Sequence, residues 1–211
     1  MAAERAARLA SDTDLKVILQ HESRGHISDD LGRYLFFDPL LSINQDMACA
    51  SCHNPDRGFS DGQGRSVGAN AQRLPRSAPT LWNVAFLKTF FWDSRADSLE
   101  EQMHGPLYDV REMGNSPANL LATISANNQY RKLFAQAWPR QNTEGLSAVT
   151  LDRIYTALAA FQSSLISLNS RYDQYAHGHA DALNEQEIEG MNVFRSFVAR
   201  CGECHTPPMF T

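Results

Sequence analysis

All four cysteines of the 211-residue chain lie in two short motifs of the form Cys-x-x-Cys-His. Two thiols at this spacing can add to the two vinyl groups of one haem, and the histidine that follows can then offer an imidazole to the iron. Both motifs are complete and no cysteine is left over, so the sequence predicts two covalently attached haems c. The attaching and iron-binding residues would be Cys49, Cys52 and His53 for the first haem, and Cys201, Cys204 and His205 for the second.

A structural zinc site built from both cysteine pairs, or a set of disulfides, would also use every cysteine. The cysteine pairs of zinc sites usually lie much closer in sequence, and zinc does not explain a histidine directly after each pair. We therefore favour haem, which is attached on the exported side of the bacterial inner membrane, and we expect a periplasmic protein. The first residues contain Glu4, Arg5 and Arg8 where a secretory signal needs an uninterrupted apolar segment, so we expect no signal peptide in this chain.

The composition excludes two classes of partner. A formal net charge of -5 argues against nucleic acid, because such binders need clustered lysines and arginines to neutralise phosphates. The longest apolar stretch, from Leu81 to Trp92, contains Asn83 and Lys88 and is too short to cross a bilayer, so no membrane span is expected. With 43% hydrophobic residues, the chain can bury one sizeable core or two small ones.

Helical patterns dominate the segments that must position the two motifs. Ser116 and Pro117 have the residue types of an N-cap and a first helical position, and they are expected to open a helical stretch that runs through Ile124 towards Phe134. Thr150 is the expected N-cap of a long amphipathic helix. Its apolar side chains recur with a period near 3.6, at Leu151, Ile154, Leu158, Phe161 and Leu165.

A further helix precedes the second motif, and a long loop follows the first. Asn184 and Glu187 form a capping box at the start of a helix that we expect to run through Phe197 into Cys201. Residues 54–79 are rich in Gly, Asn, Ser, Arg and Pro, and no convincing alternating strand is present. A loop of this length inside a compact domain is usually functional, and we expect it to wrap a cofactor.

Further motifs surround the first haem motif in a fixed order. They are Leu31-Gly32-Arg33-Tyr34-Leu35-Phe36-Phe37-Asp38, Arg76-Ser77-Ala78-Pro79-Thr80, Phe91-Trp92-Asp93-Ser94-Arg95-Ala96, Gln102-x-x-Gly105-Pro106 and Glu112-Met113. With these motifs the chain resembles the bacterial dihaem cytochrome c peroxidase family, which includes the MauG-type enzymes. The resemblance extends from about Leu31 to the end of the chain, and the ordered set is far more specific than any single motif.

The resemblance implies a mainly α-helical protein with two cytochrome c-like domains and one haem in each. Residues 1–168 would form the amino-terminal peroxidatic domain. Residues 169–211 would begin the carboxy-terminal electron-transfer domain. Family members continue well past the position of Thr211, so we expect the second domain to be incomplete and the sixth ligand of its haem to lie beyond the chain end.

The resemblance also implies the site residues. Gln102, Pro106 and Glu112 would line the distal side of the first haem, where peroxide binds, and Trp92 would lie between the two haems. A carboxylate such as Glu112 can take a proton from peroxide and return it to the departing oxygen, whereas an amide can only orient the substrate. Without the family motifs, Glu112 would be interpreted as a solvated carboxylate and Trp92 as a core aromatic.

The sequence departs from the family pattern at two positions. Many members carry a histidine in the loop before Arg-x-Ala-Pro-Thr, and it caps the peroxidatic iron in the oxidised state. No histidine lies between His53 and His104 here, so we expect an open first iron, as in MauG-type members. The family's calcium-binding asparagine is replaced by Ser77, a weaker ligand for a hard cation, which leaves calcium open as a further cofactor. His104 is expected to be exposed or hydrogen-bonded.

Three functions are compared on this basis. The first is a cytochrome c peroxidase that reduces hydrogen peroxide to water with electrons from a small periplasmic donor, either a cytochrome c or a cupredoxin. The second is a MauG-type oxidase that uses peroxide to remove electrons from a tryptophan of a partner protein. The third is a plain dihaem electron carrier, which would want both irons six-coordinate. The chain could also pair as a homodimer.

Overall fold

The computed structural model describes residues 27–139, 148–207 and 209–210. The expectation of no signal peptide rests on Glu4, Arg5 and Arg8, which lie outside the described residues. The chain forms two compact units, one that ends at Leu165 and one that begins at Ile166. Both are built from helices and turns, which confirms the predicted mainly α class.

The described residues contain nine α-helices. The first unit has seven: α1 (Ile27–Phe37), α2 (Cys49–Cys52), α3 (Leu99–Gln102), α4 (His104–Tyr108), α5 (Pro117–Ala126), α6 (Asn128–Ala137) and α7 (Leu151–Ser164). The second unit has α8 (Arg171–Ala176) and α9 (Glu185–Arg195). Over the same residues, β-structure is limited to three isolated bridges, which join Asn54 to Ser60, Val67 to Arg73, and Phe90 to Ala96.

Helices α1 and α7 form the centre of the first unit. As predicted, Thr150 caps α7 by accepting a hydrogen bond from the Arg153 N–H, and the apolar face of α7 is buried. At Gly32 of α1 an added Cβ would lie 1.8 Å from the Ala157 carbonyl oxygen of α7. The two helix backbones can therefore approach this closely only because residue 32 has no side chain.

The helical stretch predicted from Ser116 towards Phe134 is broken into α5 and α6. Ser116 caps α5 as expected. Asn127 interrupts the stretch, because its extended backbone lets its side chain accept hydrogen bonds from the Gln129 and Tyr130 N–H groups at the start of α6. Local bonding of this kind is how asparagine competes with a continuous helix. Helix α6 is then joined to the end of α1 by the Tyr130 hydroxyl, which donates to Asp38 over 2.6 Å.

Helix α9 in the second unit begins where the sequence predicted but ends earlier. Asn184 and Glu187 form the predicted capping box. The predicted extension to Cys201 is wrong: the helix ends at Arg195, and Ser196 has extended backbone. The Ser196 hydroxyl accepts a hydrogen bond from the Ala199 N–H, which gives the chain a local alternative to the next helical turn. Phe197 is consequently exposed.

Residues 54–79 are irregular, as predicted, and contain only short 3₁₀ turns and single bridges. Backbone hydrogen bonds close this loop on itself, for example from the Leu74 N–H to the Ser66 carbonyl. Among the residues the structure covers, no helix is long and apolar enough to cross a membrane.

Candidate functional site

The first Cys-x-x-Cys-His motif is one turn of helix followed by its cap. Cys49 and Cys52 are the first and last residues of α2, and the N–H of His53 closes the turn by donating to the Cys49 carbonyl over 2.9 Å. The helix brings the two thiols and the imidazole into one short stretch of backbone. Both cysteines are free thiols, so disulfides do not account for them.

The His53 imidazole is oriented by the loop that follows it. Its Nδ1 lies 2.9 Å from the Phe59 carbonyl oxygen. A carbonyl can only accept, so Nδ1 must carry the proton and the lone pair of Nε2 is left for a metal. Burial lowers the pKa of His53, while the carbonyls of Phe59 and Pro79 and the charge of Asp61 act in the opposite direction. The neutral imidazole favoured by burial is the form that binds iron.

The thiols of the first motif are held in their protonated form. Burial raises the pKa of Cys49 to about 12 and that of Cys52 to about 11. A zinc site requires thiolates and further ligands, and within the described ranges no three His, Cys, Asp or Glu side chains are grouped so that they could hold a metal ion. Thioether bonds to haem leave neutral sulfurs, so these buried thiols and the free Nε2 fit haem c better than zinc.

The second motif repeats the two hydrogen bonds of the first. Cys201 begins a 3₁₀ turn, and the His205 N–H donates to its carbonyl over 2.9 Å. The Nδ1 of His205 lies 3.0 Å from the Phe210 carbonyl oxygen, which again leaves Nε2 for a metal. Cys201 and Cys204 are free thiols. The second motif therefore also fits haem c.

Glu112 lies near the first motif. The side chain is half-buried, and burial raises its pKa, assisted by the charge of Asp109 and opposed by Arg111 and Arg95. The charge of Glu112 in turn contributes to the raised pKa of Cys52, after burial and the charge of Asp61. The predicted proton carrier is thus within electrostatic range of the predicted haem-binding thiol.

Gln102 and Pro106 belong to the same part of the first unit. Gln102 ends α3, and Pro106 lies in α4; both side chains are half-buried. The Pro106 carbonyl accepts a hydrogen bond of 3.0 Å from the N–H of Met113, so it is tied directly to the residue after Glu112. This hydrogen bond closes a loop that begins at Pro106 and ends directly after Glu112.

Trp92 lies on a tight turn and is 92% exposed as a residue. The neighbouring Phe91 packs on Gly105, where an added Cβ would lie 3.0 Å from the ring, and the Arg95 guanidinium lies 3.4 Å from the Phe91 ring centroid. Hydrogen bonds from Arg76 and Arg95 hold Asp93 and lower its pKa. The turn therefore presents Trp92 outward beside the segment that carries Pro106. Its predicted place between two haems stays a prediction.

The loop in which the family resemblance would place a capping histidine approaches the residue next to Glu112. The Ala69 N–H donates to the Arg111 carbonyl over 2.9 Å, and an added Cβ at Gly68 would lie 2.0 Å from the same oxygen. The neighbouring Gln72 is exposed. His104 is exposed as predicted, and its ring packs edge-on against Tyr155 at 4.6 Å between centroids.

Two phenylalanines near the motifs were not anticipated as site residues. The carbonyls of Phe59 and Phe210 fix the tautomer of the two histidines. The available signal in the sequence was that each histidine is followed, five or six residues later, by Phe and then a hydroxyl residue, Ser60 or Thr211. Composition and periodicity do not reveal a backbone carbonyl, so this role became visible only in the structure.

Paired thiols followed by a histidine with free Nε2, together with a half-buried acid nearby, define the first unit as a c-type cytochrome domain. The chain belongs to the di-haem cytochrome c peroxidase family, whose model matches residues 28–181. Haem c is the cofactor of that family.

Relatives within the family include both named activities. The chain is 37% identical over 179 residues to cytochrome c551 peroxidase of Nitrosomonas europaea, which covers 85% of this chain and 51% of that protein. It is 37% identical over 182 residues to the methylamine utilization protein MauG of Methylophilus methylotrophus; this match covers 86% of this chain and 52% of that protein. The crystal structure of a MauG-like protein associated with microbial copper homeostasis matches with a TM-score of 0.78 at 34% identity, over 87% of this chain and 53% of that one. The chain thus spans about half the length of these relatives.

Proposed function

We propose that this chain supplies the peroxide-reducing site of a periplasmic dihaem cytochrome c peroxidase. One haem c would be attached at Cys49 and Cys52, with His53 on the iron, and a second at Cys201 and Cys204, with His205 on its iron. The overall reaction converts hydrogen peroxide, two electrons and two protons into two water molecules. The observation that supports it best is the half-buried Glu112 carboxyl, with its raised pKa, in electrostatic range of Cys52.

Each distal residue has a separate task in this proposal. When bound at Cys49, Cys52 and His53, the first haem would supply the redox-active iron for cleavage of the peroxide O–O bond. Glu112 takes a proton from the incoming peroxide and returns it to the departing oxygen. Gln102 orients the peroxide by hydrogen bonding but cannot carry its proton. Pro106 supplies a rigid apolar wall, because its ring has no donor that would compete for the substrate.

Electrons reach the first unit from the second in this proposal. A small donor, either a cytochrome c or a cupredoxin, would reduce the second unit. Trp92 would act as the relay, since its turn presents an exposed aromatic ring beside the segment of Pro106. A calcium ion, whose family ligand is replaced by Ser77, and a homodimer both stay open for this chain.

A MauG-type oxidase is the second candidate. It is favoured by the absence of a histidine between His53 and His104, which this chain shares with MauG-type members, and by 37% identity to a MauG protein. In this case the electrons would come from a tryptophan of a partner protein. Peroxide consumption that requires a tryptophan-bearing protein, and is not supported by a reduced cytochrome c or cupredoxin, would favour this candidate.

The test compares Glu112→Gln with the parent after maturation with the haem-ligation machinery. The substitution keeps size and removes the carboxylate, so peroxide turnover should fall by about 10²–10⁴-fold while covalent haem content is unchanged. Glu100→Gln is the matched control, because Glu100 is also a half-buried carboxyl of the first unit. Undiminished turnover in Glu112→Gln would remove Glu112 from the mechanism.

A further inference from the structure

The two iron-binding histidines share a local environment that goes beyond their motifs. In each case the carbonyl that accepts from Nδ1–H belongs to a phenylalanine with left-handed backbone, Phe59 at φ 56° and Phe210 at φ 57°. A bulky residue in this region is strained and is held there by its surroundings. The same strain therefore occurs at the same functional point of both motifs.

The backbone of both phenylalanines is tied to the motif in the same way. The Phe59 N–H donates to the carbonyl of Asn54 over 2.8 Å, and the Phe210 N–H donates to that of Thr206 over 2.7 Å. Asn54 and Thr206 each directly follow the iron-binding histidine. Each motif thus closes a small ring, in which the phenylalanine N–H holds the residue after the histidine and the phenylalanine carbonyl holds the imidazole.

A second phenylalanine completes each arrangement. The Phe36 ring of α1 lies 6.4 Å from the His53 ring and 6.2 Å from the Phe59 ring, the latter edge-on. The Phe194 ring of α9 lies 6.4 Å from His205 and 5.8 Å from Phe210, again edge-on to the phenylalanine. Interplanar angles to the histidine are 47° and 46°. Such edge-to-face pairs have a preferred geometry and so can fix a backbone as well as fill space.

Core packing alone does not explain this repetition. Phe36 and Phe59 belong to the buried core of the first unit, where aromatic contacts are expected. Phe194 and Phe210 are only half-buried, and α9 contains no fully buried residue. The same three-ring arrangement therefore occurs in two very different packing environments.

We propose that Phe36 with Phe59, and Phe194 with Phe210, are positioning residues that hold the two iron-binding histidines in one tautomer and one orientation. The inference rests on haem binding as proposed above. The ring pair keeps the phenylalanine backbone left-handed, and this backbone keeps its carbonyl on Nδ1–H. An imidazole that donates to such a carbonyl is a more basic ligand, which stabilises the oxidised iron. The phenylalanine pairs thereby set the reduction potential of their own haem.

The test is a redox titration, followed in the visible spectrum, of the haem-loaded protein and of Phe59→Ala and Phe210→Ala. Alanine keeps the steric penalty of the left-handed backbone but has no ring to hold it there. We expect the potential of the first haem to rise in Phe59→Ala and that of the second in Phe210→Ala, each with the other haem unchanged. The equilibrium constant for reduction by a reference dye should change by roughly tenfold, the lower end for partners of metal ligands. The iron–histidine stretching frequency of the reduced first haem should fall in Phe59→Ala. Glycine adopts the left-handed backbone without strain, so Phe210→Gly should shift the potential less than Phe210→Ala.

Phe134→Leu is the control for lost packing, because Phe134 is fully buried and stacks on Trp138 rather than on a histidine. It should lower stability and leave both potentials in place. Phe210→Tyr keeps the ring and should keep the parent potential. If Phe59→Ala does not fold, Phe210→Ala alone carries the test, since Phe210 is outside the buried core. Unchanged potentials in both alanine variants at full haem content would overturn the inference. If the parent protein showed no peroxide turnover, the proposed activity would be rejected, but the expected shifts in reduction potential would stand.

Discussion

The environment of Glu112 disfavours the ionised form of its carboxyl. Burial and the neighbouring Asp109 raise its pKa, and the positive charges of Arg111 and Arg95 only partly oppose this. A solvated glutamate would be ionised under most conditions and would hold a proton poorly. A raised pKa brings the two protonation states closer in free energy, which is what a group that takes up and returns a proton requires.

This environment predicts a stability effect of definite sign. Folding raises the pKa of Glu112, so its contribution to stability is fully present below the ordinary value of 4.5 and is lost as pH rises through the raised value. Glu112→Gln stays neutral. We expect it to be more stable than the parent at neutral pH, with the difference disappearing in acid, when urea unfolding is measured at both pH values.

Asp93 provides the control of opposite sign. Hydrogen bonds from Arg76 and Arg95 lower its pKa, so its contribution is present above the ordinary value of 3.8 and is lost as pH falls through the lowered one. Asp93→Asn should therefore be less stable than the parent at neutral pH. Equal shifts in both variants would mean that local charge does not govern either carboxyl.

At the level of residues, the sequence offers candidate ligands but not their surroundings. The thiols and imidazoles are recognisable because their spacing is set by the chemistry of haem attachment. The tautomer of His53 depends on a backbone carbonyl of Phe59, and the pKa of Glu112 depends on burial. Neither property belongs to a residue type, so neither could be predicted without the fold.

The contact between α1 and α7 depends on one glycine. Gly32→Ala should destabilise the first unit by about 1–3 kcal/mol, because the new methyl would overlap the Ala157 backbone and force the helices apart. This would occur although alanine is the better helix former. Gly190→Ala in α9 is the matched control, since its Cβ meets nothing within 4 Å, and it should stabilise by roughly 0.5–1 kcal/mol. Urea unfolding measures both.

The hydrogen bond between Tyr130 of α6 and Asp38 at the end of α1 involves a charged acceptor. Its removal should therefore lower stability more than removal of a neutral hydrogen bond. Tyr130→Phe removes the donor to the Asp38 carboxylate and should cost about 1.5–3 kcal/mol. Tyr108→Phe breaks a hydrogen bond between the uncharged hydroxyls of Tyr108 and Tyr155, and should cost only about 0.5–1.5 kcal/mol. A larger loss in Tyr108→Phe, measured by the same unfolding assay, would contradict this order.

Helix starts were predictable from sequence, whereas a helix break and a helix end were not. Thr150 and Asn184 cap their helices as expected because capping uses side chains at fixed offsets. Asn127 and Ser196 each interrupt an apolar pattern that continues past them. Their side chains bond to nearby backbone N–H groups, and hydrophobic periodicity does not register that competition.

At the scale of the whole chain, each unit contains one Cys-x-x-Cys-His motif, but the residues around the two motifs are buried to different extents. The first unit surrounds its motif with a buried core and the segment that carries Glu112. In the second unit, Phe197 and Val198 just before Cys201 are exposed. The proposed peroxide site is accordingly assigned to the first unit and the proposed electron-transfer site to the second.

The missing histidine leads to a prediction for the complete haem-loaded protein. If no side chain caps the first iron, the fully oxidised protein should already contain a high-spin ferric haem and react with peroxide without prior reduction. An iron capped by an imidazole would instead have to accept one electron first, because peroxide would displace the bound imidazole slowly. The loop that would carry the cap is bonded to the Arg111 backbone, with Gln72 exposed, and His104 packs on Tyr155. Asn70, Gln72 and His104 are the residues that could substitute for the histidine.

Visible and electron paramagnetic resonance spectra of the oxidised protein test this directly. Glu112→Gln should keep the high-spin signal, since it does not alter access to the iron, yet react slowly with peroxide. The spin state reports whether the iron is open, and the rate of the peroxide reaction reports whether the proton carrier works. An oxidised protein that is entirely low-spin, and that ignores peroxide until one electron is added, would show that another residue has taken the place of the histidine.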